Sequence, residues 1–150
     1  MTAITIRPAL ETDLADIQSC ARSAYAKYVE RMNREPAPMH ADFASQIAQG
    51  YVAVAACEEH LAGYVVFYYE GDHAHLENVA VSPEYQGRAV GRRLIEHVEQ
   101  TARKAGYQAV ELYTNEAMTE NLAMYPRIGY IEVGRRREAG FNRVFFRKQM

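Results

Sequence analysis

The stretch VSPEYQGRAVGRRLIEHVEQ, residues 81–100, closes one periodic pattern and opens another. Before it, HAHLENVAV (73–81) alternates in the manner of a half-buried strand. After it, from Val90 onward, Leu94, Ile95, Val98, Ala102 and Ala105 recur at helical spacing. Arg92, Arg93, Glu96, Glu99 and Arg103 fill the other face, and Gly106 closes this helix. Gly87 and Gly91 mark the junction. The first turn of a helix leaves backbone N–H groups without partners and carries about half a positive charge, so it can bind an anion. Two residues without side chains let a phosphate or pyrophosphate approach, and Arg88, Arg92 and Arg93 add positive charge. The plainer reading is a turn at Gly87 and close helix packing at Gly91. A dinucleotide fingerprint is excluded, because SPEYQ intervenes after the strand and the middle glycine is missing; the lysine and serine of a P-loop are absent too.

Outward from this junction the chain reads as alternating elements. Ile4 and Ile6 alternate with Thr5 and Arg7 before Pro8, a short strand. Thr12 offers an N-cap for a helix carried by Leu14, Ile17, Ala21, Ala24 and Tyr28 to about Met32, which Pro36 and Pro38 end. A second short helix spans 42–49, closed by Gly50. YVAVAAC (51–57) and LAGYVVFYY (61–69) form a hairpin, and 73–81 continues it as an antiparallel meander after a turn at Gly71 and Asp72. A strand at 108–114, a helix within 118–128 and strands at 131–138 and 141–148 complete the order. Strand–helix–strand between 73 and 114 implies a parallel pair with a right-handed crossover.

The 150 residues, 49% of them hydrophobic, fit one domain spanning 1–150 with its own core. Net charge is −2, which argues against a general nucleic-acid binder. Its distribution is uneven: residues 1–75 carry five Lys/Arg against ten Asp/Glu, and residues 76–150 carry twelve against nine. The second half thus favours anionic ligands. Cys20 and Cys57 lack metal spacing and are expected to be reduced, which favours the cytoplasm. No apolar run approaches the ~18 residues of a membrane span, and the N-terminus has no secretory pattern.

AVSPEYQGRAVGRRLIEHV resembles the acetyl-CoA-binding segment of the GNAT N-acetyltransferase superfamily, with its Gln/Arg-x-x-Gly-x-Gly/Ala pattern after a strand ending in a V-A-V-like run. Gln86 and Gly91 match the outer positions. Ala89 stands where the middle glycine is usual, and alanine costs nothing there if residue 89 is right-handed helical. NLAMYPRIGYIEVGRR is similar to the family's fourth helix and next strand, with Tyr125 at the recurrent tyrosine and Gly129-Tyr130 at the Gly-aromatic pair. The resemblance implies an α/β fold of GNAT type: a mixed, mostly antiparallel sheet of about seven strands flanked by about four helices, ordered β-α-α-β-β-β-α-β-α-β-β.

It also implies transfer of an acetyl group from acetyl-CoA to a primary amine of a small molecule or peptide, by direct attack in a ternary complex. A catalytically silent acyl-CoA-binding module is the alternative, and an unrelated nucleotide-binding module a further one. On the resemblance, Val79, Ala80 and Val81 pair with the pantetheine arm, and an N–H near Val79 donates to the oxyanion. Gln86, Gly87, Arg88, Ala89, Val90, Gly91 and Arg92 surround the pyrophosphate. Tyr125 is carried over as donor to the thiolate leaving group; a phenol near pKa 10 is a weaker acid than a thiol near 8.5, so a strengthening hydrogen bond is expected rather than full proton transfer. Pro126 follows it, disfavours helix at Tyr125 and predicts a kink or an early helix end. Many relatives carry an asparagine seven residues before the tyrosine, where this chain has Met118; Asn121, on the face of Tyr125, takes over the cofactor contact or caps a turn.

For the base that deprotonates the attacking ammonium, His73, His75 and Glu77 share one strand face with Val79 and Val81. Glu77 is the first candidate and His75 the second; a solvated polar face is the plain alternative. H-x-H-x-E is geometrically able to hold a metal but needs further ligands, and no metal is expected. The resemblance implies that Tyr25 and Tyr28, with MNREPAPMH (32–40) and Glu111, are candidate acceptor-site residues, although tyrosines at helical spacing are more often core. Arg135, Arg136, Arg137, Arg143 and Arg147 read as an exposed hairpin face rather than a nucleic-acid patch. Open edge strands leave a homodimer available.

Overall fold

Period-two alternation and left-handed turn residues account for the sheet. Thr5–Pro8 (β1), Val52–Cys57 (β2), His60–Glu70 (β3), His73–Val81 (β4), Ala109–Asn115 (β5), Ile131–Glu138 (β6) and Phe141–Gln149 (β7) form a seven-stranded sheet ordered β1-β2-β3-β4-β5-β7-β6. Helices Leu14–Met32 (α1), Phe43–Ala48 (α2), Val90–Lys104 (α3) and Thr119–Arg127 (α4) interleave with it in the expected order. The computed structural model describes residues 3–150. β4 and β5 pair in parallel from His73↔Ala109 to Leu76↔Leu112, and β1–β2, β2–β3, β5–β7 and β6–β7 pair antiparallel. The mixed, mostly antiparallel sheet with four helices is the GNAT fold anticipated from the sequence. By proximity the chain divides into two compact units: the residues up to Phe67 with Asn78–His97, and Tyr68–Glu77 with Val98–Met150.

In the first unit α1 buries Ile17, Cys20, Ala21, Tyr25 and Tyr28, a stripe at three- and four-residue spacing. Thr12 does not cap it. It lies in a 3-10 turn, Glu11–Asp13, and Asp13 takes the N-cap position. The Asp13 carboxylate turns backward, accepting from the Leu10 N–H at 2.7 Å and from both Arg7 guanidinium nitrogens at 2.8 and 3.0 Å, because a charged bidentate partner outcompetes a neutral amide. Asp42 caps α2 by accepting from the Ser45 N–H at 3.1 Å, and Gly50 follows at φ +80°. Phe43 packs edge-on against the buried Tyr64 ring, 5.3 Å between centroids. β2 and β3 slip register between Ala55 and Ala56, a bulge that places Gly63 opposite Ala55.

In the second unit Val98 and Ala102 of α3, Ala109, Val110 and Leu112 of β5, and Val144 and Phe146 of β7 supply buried apolar groups. The Tyr130 hydroxyl donates to Glu99 at 2.8 Å, and Lys148 Nζ donates to the other Glu99 oxygen at 3.2 Å, so the buried carboxylate is neutralised in place. Pro126 does not unwind α4 at Tyr125. The helix runs on to Arg127 and stops there, with the N–H groups of Ile128 and Tyr130 both directed at the Tyr125 carbonyl. Proline sits in the last turn, where its missing N–H deprives the Leu122 carbonyl of its helical donor but leaves few residues of helix to disrupt. β6 is one edge strand of the sheet, bulged between Glu132 and Gly134; Arg135, Arg136 and Arg137 are exposed as expected, whereas Arg143 and Arg147 on β7 are half-buried, held over the Tyr113 ring and against Glu111 and Asp72. No helix among the described residues is long and apolar enough to cross a membrane, which leaves strand-built spans unaddressed.

Candidate active site

Burial along β4 alternates without a break. Ala74, Leu76, Asn78 and Ala80 are buried, and His73, His75, Glu77, Val79 and Val81 lie half-buried on the opposite face, as the sequence period required. Ser82 donates its N–H to the Ala62 carbonyl at 2.8 Å, and a Cβ built on Gly63 would stand 2.6 Å from the Ala80 carbonyl oxygen. Even-numbered residues therefore turn their backbone groups toward β3. The N–H and C=O of Val79 and Val81 consequently face the other strand edge.

Two side chains hold that edge. The Tyr25 hydroxyl lies 3.0 Å from the Val79 carbonyl oxygen and 2.9 Å from Asn78 Oδ1, which the Tyr64 hydroxyl also reaches at 3.0 Å. Gln86 Nε2 donates to the Val81 carbonyl at 3.4 Å. Tyr25, expected at the acceptor site, is thus a buried clamp on β4. Tyr28 is buried beside it, ring centroids 6.2 Å apart, with Lys27 and Arg31 near its ring. Sequence reasoning missed Asn78, Tyr64 and Gly63. Asn78 carried a signal, since it is the polar residue on an otherwise apolar face of the strand; Gly63 inside an apolar run was another.

The loop from Ser82 leads into α3 through a 3-10 turn, Pro83–Tyr85. Gln86, Gly87, Arg88 and Ala89 are exposed, whereas the Val90 side chain is buried, so Val90 offers only its backbone to a ligand. Gly87 has φ +82° and no atom near the place of a Cβ. Ala89 is not right-handed: its φ is +61°. The chain must turn back on itself before α3 begins, and the left-handed step falls on residue 89 as well as on 87. Alanine there carries a strain of about 1 kcal/mol that glycine avoids. Gly91, in the first turn, presents a bare face with Val81 Cγ2 at 3.4 Å from a built Cβ. Arg88 lies over the Tyr85 ring at 5.4 Å and Arg92 pairs with Glu96 at 3.2 Å. The result is an exposed, glycine-lined cradle of first-turn amides flanked by arginines, which suits a diphosphate.

The acid–base candidates lie in the second unit. Glu77 accepts from the Tyr68 hydroxyl at 3.1 Å. The His75 ring lies 5.4 Å from Tyr68 and 5.8 Å from Tyr113, and burial lowers its pKa below the usual 6.5 despite the nearby Glu70, Glu77 and Glu111 charges. A neutral imidazole results. Glu111 is bound to Arg147, which also reaches Asp72 at 3.1 Å. Tyr125 is buried against Tyr130 and Phe146, with centroids 5.7 and 5.6 Å away. Asn121 donates to Thr114 Oγ1 at 3.3 Å, securing α4 to the end of β5. Residues 32–40 hold a left-handed Asn33 and a 3-10 turn, Ala37–His40. Both cysteines are free and buried, and burial pushes the Cys20 thiol up to about 11, so it is no nucleophile at neutral pH.

A family model described as Acetyltransferase (GNAT) family matches residues 14–130. Among curated relatives, the chain is 34% identical over 65 residues to IAA acetyltransferase of Azospirillum brasilense, covering 43% of this chain and 42% of that protein. That match spans less than half of the relative's length. The chain is 31% identical over 130 residues to N-alpha-acetyltransferase RimI of Mycobacterium tuberculosis, covering 82% of this chain and 77% of that protein. The crystal structure of PaiA N-acetyltransferase from Thermoplasma acidophilum in complex with coenzyme A superposes with a TM-score of 0.80 at 20% identity, over 99% of each chain, a likeness of fold. With the family model spanning both the glycine cradle and Tyr125, this chain belongs to the GNAT acetyltransferase family.

Proposed function

We propose that residues 1–150 act as one N-acetyltransferase domain that moves an acetyl group from acetyl-CoA to a primary amine. The observation that carries this reading is the cradle at Gln86–Arg92, exposed from Gln86 to Ala89 and at Arg92, bare at Gly87 and Gly91, and set at the mouth of α3. Acetyl-CoA supplies an activated thioester and a thiolate leaving group. The first-turn amides with Arg88 and Arg92 hold its diphosphate, and the Val79 and Val81 backbone groups offer strand-like pairing to the pantetheine arm. An N–H near Val79 stabilises the developing oxyanion. His75, neutral by burial, or Glu77 takes the ammonium proton before attack. Tyr125 donates a hydrogen bond to the departing sulfur. The amine attacks the thioester directly, and the buried, protonated Cys20 takes no part. The similarity to an N-alpha-acetyltransferase over most of the chain favours the α-amino group of a peptide as acceptor.

Thiol release from acetyl-CoA, measured across a panel of peptide N-termini, polyamines and small amines, tests the reading. Turnover on a peptide α-amine is expected. Gly91→Leu should abolish CoA binding, and ATP should not compete. Tyr125→Phe should lower kcat by at least about tenfold while CoA affinity holds. CoA binding without turnover on any amine would put the silent acyl-CoA module in its place.

A further inference from the structure

The turn between β3 and β4 gathers metal-binding groups, of which Glu70 and His73 have no part in the proposed acetyl transfer and His75 is also a candidate base. One donor atom from each of Glu70, His73 and His75 lies within 4.8 Å of the others. His73 Nε2 stands 3.9 Å from Glu70 Oε2 and 3.7 Å from Glu111 Oε1. In a tetrahedral site with bonds of about 2.0–2.1 Å, donor atoms sit roughly 3.3 Å apart, so the Glu70 and Glu111 oxygens would close on His73 Nε2 by about half an ångström and the His75 donor by at most about 1.5 Å. On its other side His73 Nδ1 lies 3.1 Å from Asp72 Oδ1, the carboxylate contact that fixes the tautomer with Nε2 free to ligate. The carboxylate of the H-x-H-x-E pattern is not the one involved: Glu77 is engaged by Tyr68, and Glu70, across the two-residue turn, takes its place.

We propose that Glu70, His73 and His75 form a binding site for a divalent late-transition-metal ion such as zinc, with Glu111 or water in the fourth position. Charge supports it. Glu70, Asp72 and Glu111 against Arg147 leave two negative charges around two imidazoles, and Arg147 is already held by Asp72 and Glu111. Two nitrogen donors select zinc, copper or nickel over magnesium and calcium, which prefer all-oxygen shells. Three of the four side chains, His73, His75 and Glu111, are anchored in the paired strands β4 and β5. The site stands on these groups alone, independent of which amine is acetylated.

Untagged protein, stripped with chelator, should be titrated with Zn²⁺ by calorimetry and with Co²⁺ by visible absorption. One ion per chain is expected, with the intense bands of four-coordinate cobalt, while Mg²⁺ binds far more weakly. His73→Ala and Glu70→Gln should each weaken Zn²⁺ binding about tenfold to a hundredfold. Glu70 is exposed, so Glu70→Gln keeps the test alive if His73→Ala fails to fold. His40→Ala, which removes the imidazole of the exposed His40–Glu35 pair, should change nothing. Zinc uptake equal in wild type and Glu70→Gln, or lost in His40→Ala, would overturn the site.

Discussion

The phenol of Tyr25 on α1 reaches the main-chain carbonyl of Val79 on β4 at 3.0 Å, across 54 residues of sequence. A helix side chain thereby sets the edge of the strand on which the thioester is proposed to lie. Tyr25→Phe removes that bond and one of the two phenols on Asn78 without opening a cavity. Urea unfolding should show a loss of about 1–2 kcal/mol. CoA should bind more weakly, whereas a tyrosine serving only the acceptor would leave CoA affinity untouched.

Gly63 admits no side chain. Its Cβ would meet the Ala80 carbonyl oxygen at 2.6 Å, Leu94 Cδ1 at 3.2 Å and the Val81 Cα at 3.3 Å. The first of these is backbone in a paired strand and has nowhere to move. Gly63→Ala should cost about 1–3 kcal/mol in denaturant unfolding. It should also weaken CoA binding, since Ala80 and Val81 shift with it.

Ala89→Gly should act in the opposite direction. At φ +61° the alanine is strained, and glycine relieves that strain at a smaller cost in unfolded-chain entropy. A stability gain of up to about 1 kcal/mol is expected from thermal or urea unfolding. CoA affinity should hold or improve, because the backbone path is unchanged.

Burial holds the His75 pKa below 6.5, so the unfolded chain binds this proton more readily than the folded one. Its contribution to stability is full above pH 6.5, declines as pH falls from there toward the lowered folded value, and levels off below it. The slope is at most about 1.4 kcal/mol per pH unit. Urea midpoints measured across this range should show the decline in wild type and lose that part of it in His75→Gln. If His75 is the base, the acid limb of kcat should lie below pH 6.5 and disappear with the same substitution.

Strand and helix periods were legible because each rests on one-face burial: β4 alternates as HAHLENVAV dictates, and α3 begins at Val90 where its apolar stripe does. The glycine–arginine junction leading into α3 was legible too, since glycine at a strand–helix junction reports local backbone geometry. Non-local choices were not. Thr12 lost the cap because the 3-10 turn Glu11–Asp13 precedes α1 and moves its N-cap to Asp13. Tyr25 looked like a pocket residue until α1 was laid on β4. Ala89 is left-handed because the loop needs two such steps, which side-chain type alone does not reveal. Glu70 joins His73 and His75 only through the turn at Gly71 and Asp72, with Gly71 at φ +54°.

β6 ends the sheet with Ile131 and Val133 open to solvent, 70% and 59% exposed, a combination that invites a stray strand to dock. The bulge between Glu132 and Gly134 breaks the flat hydrogen-bonding row beside them, and three successive arginines follow. Two copies meeting antiparallel along this strand would crowd like charges together. The bulge and the arginines thus work against strand-to-strand association at this edge.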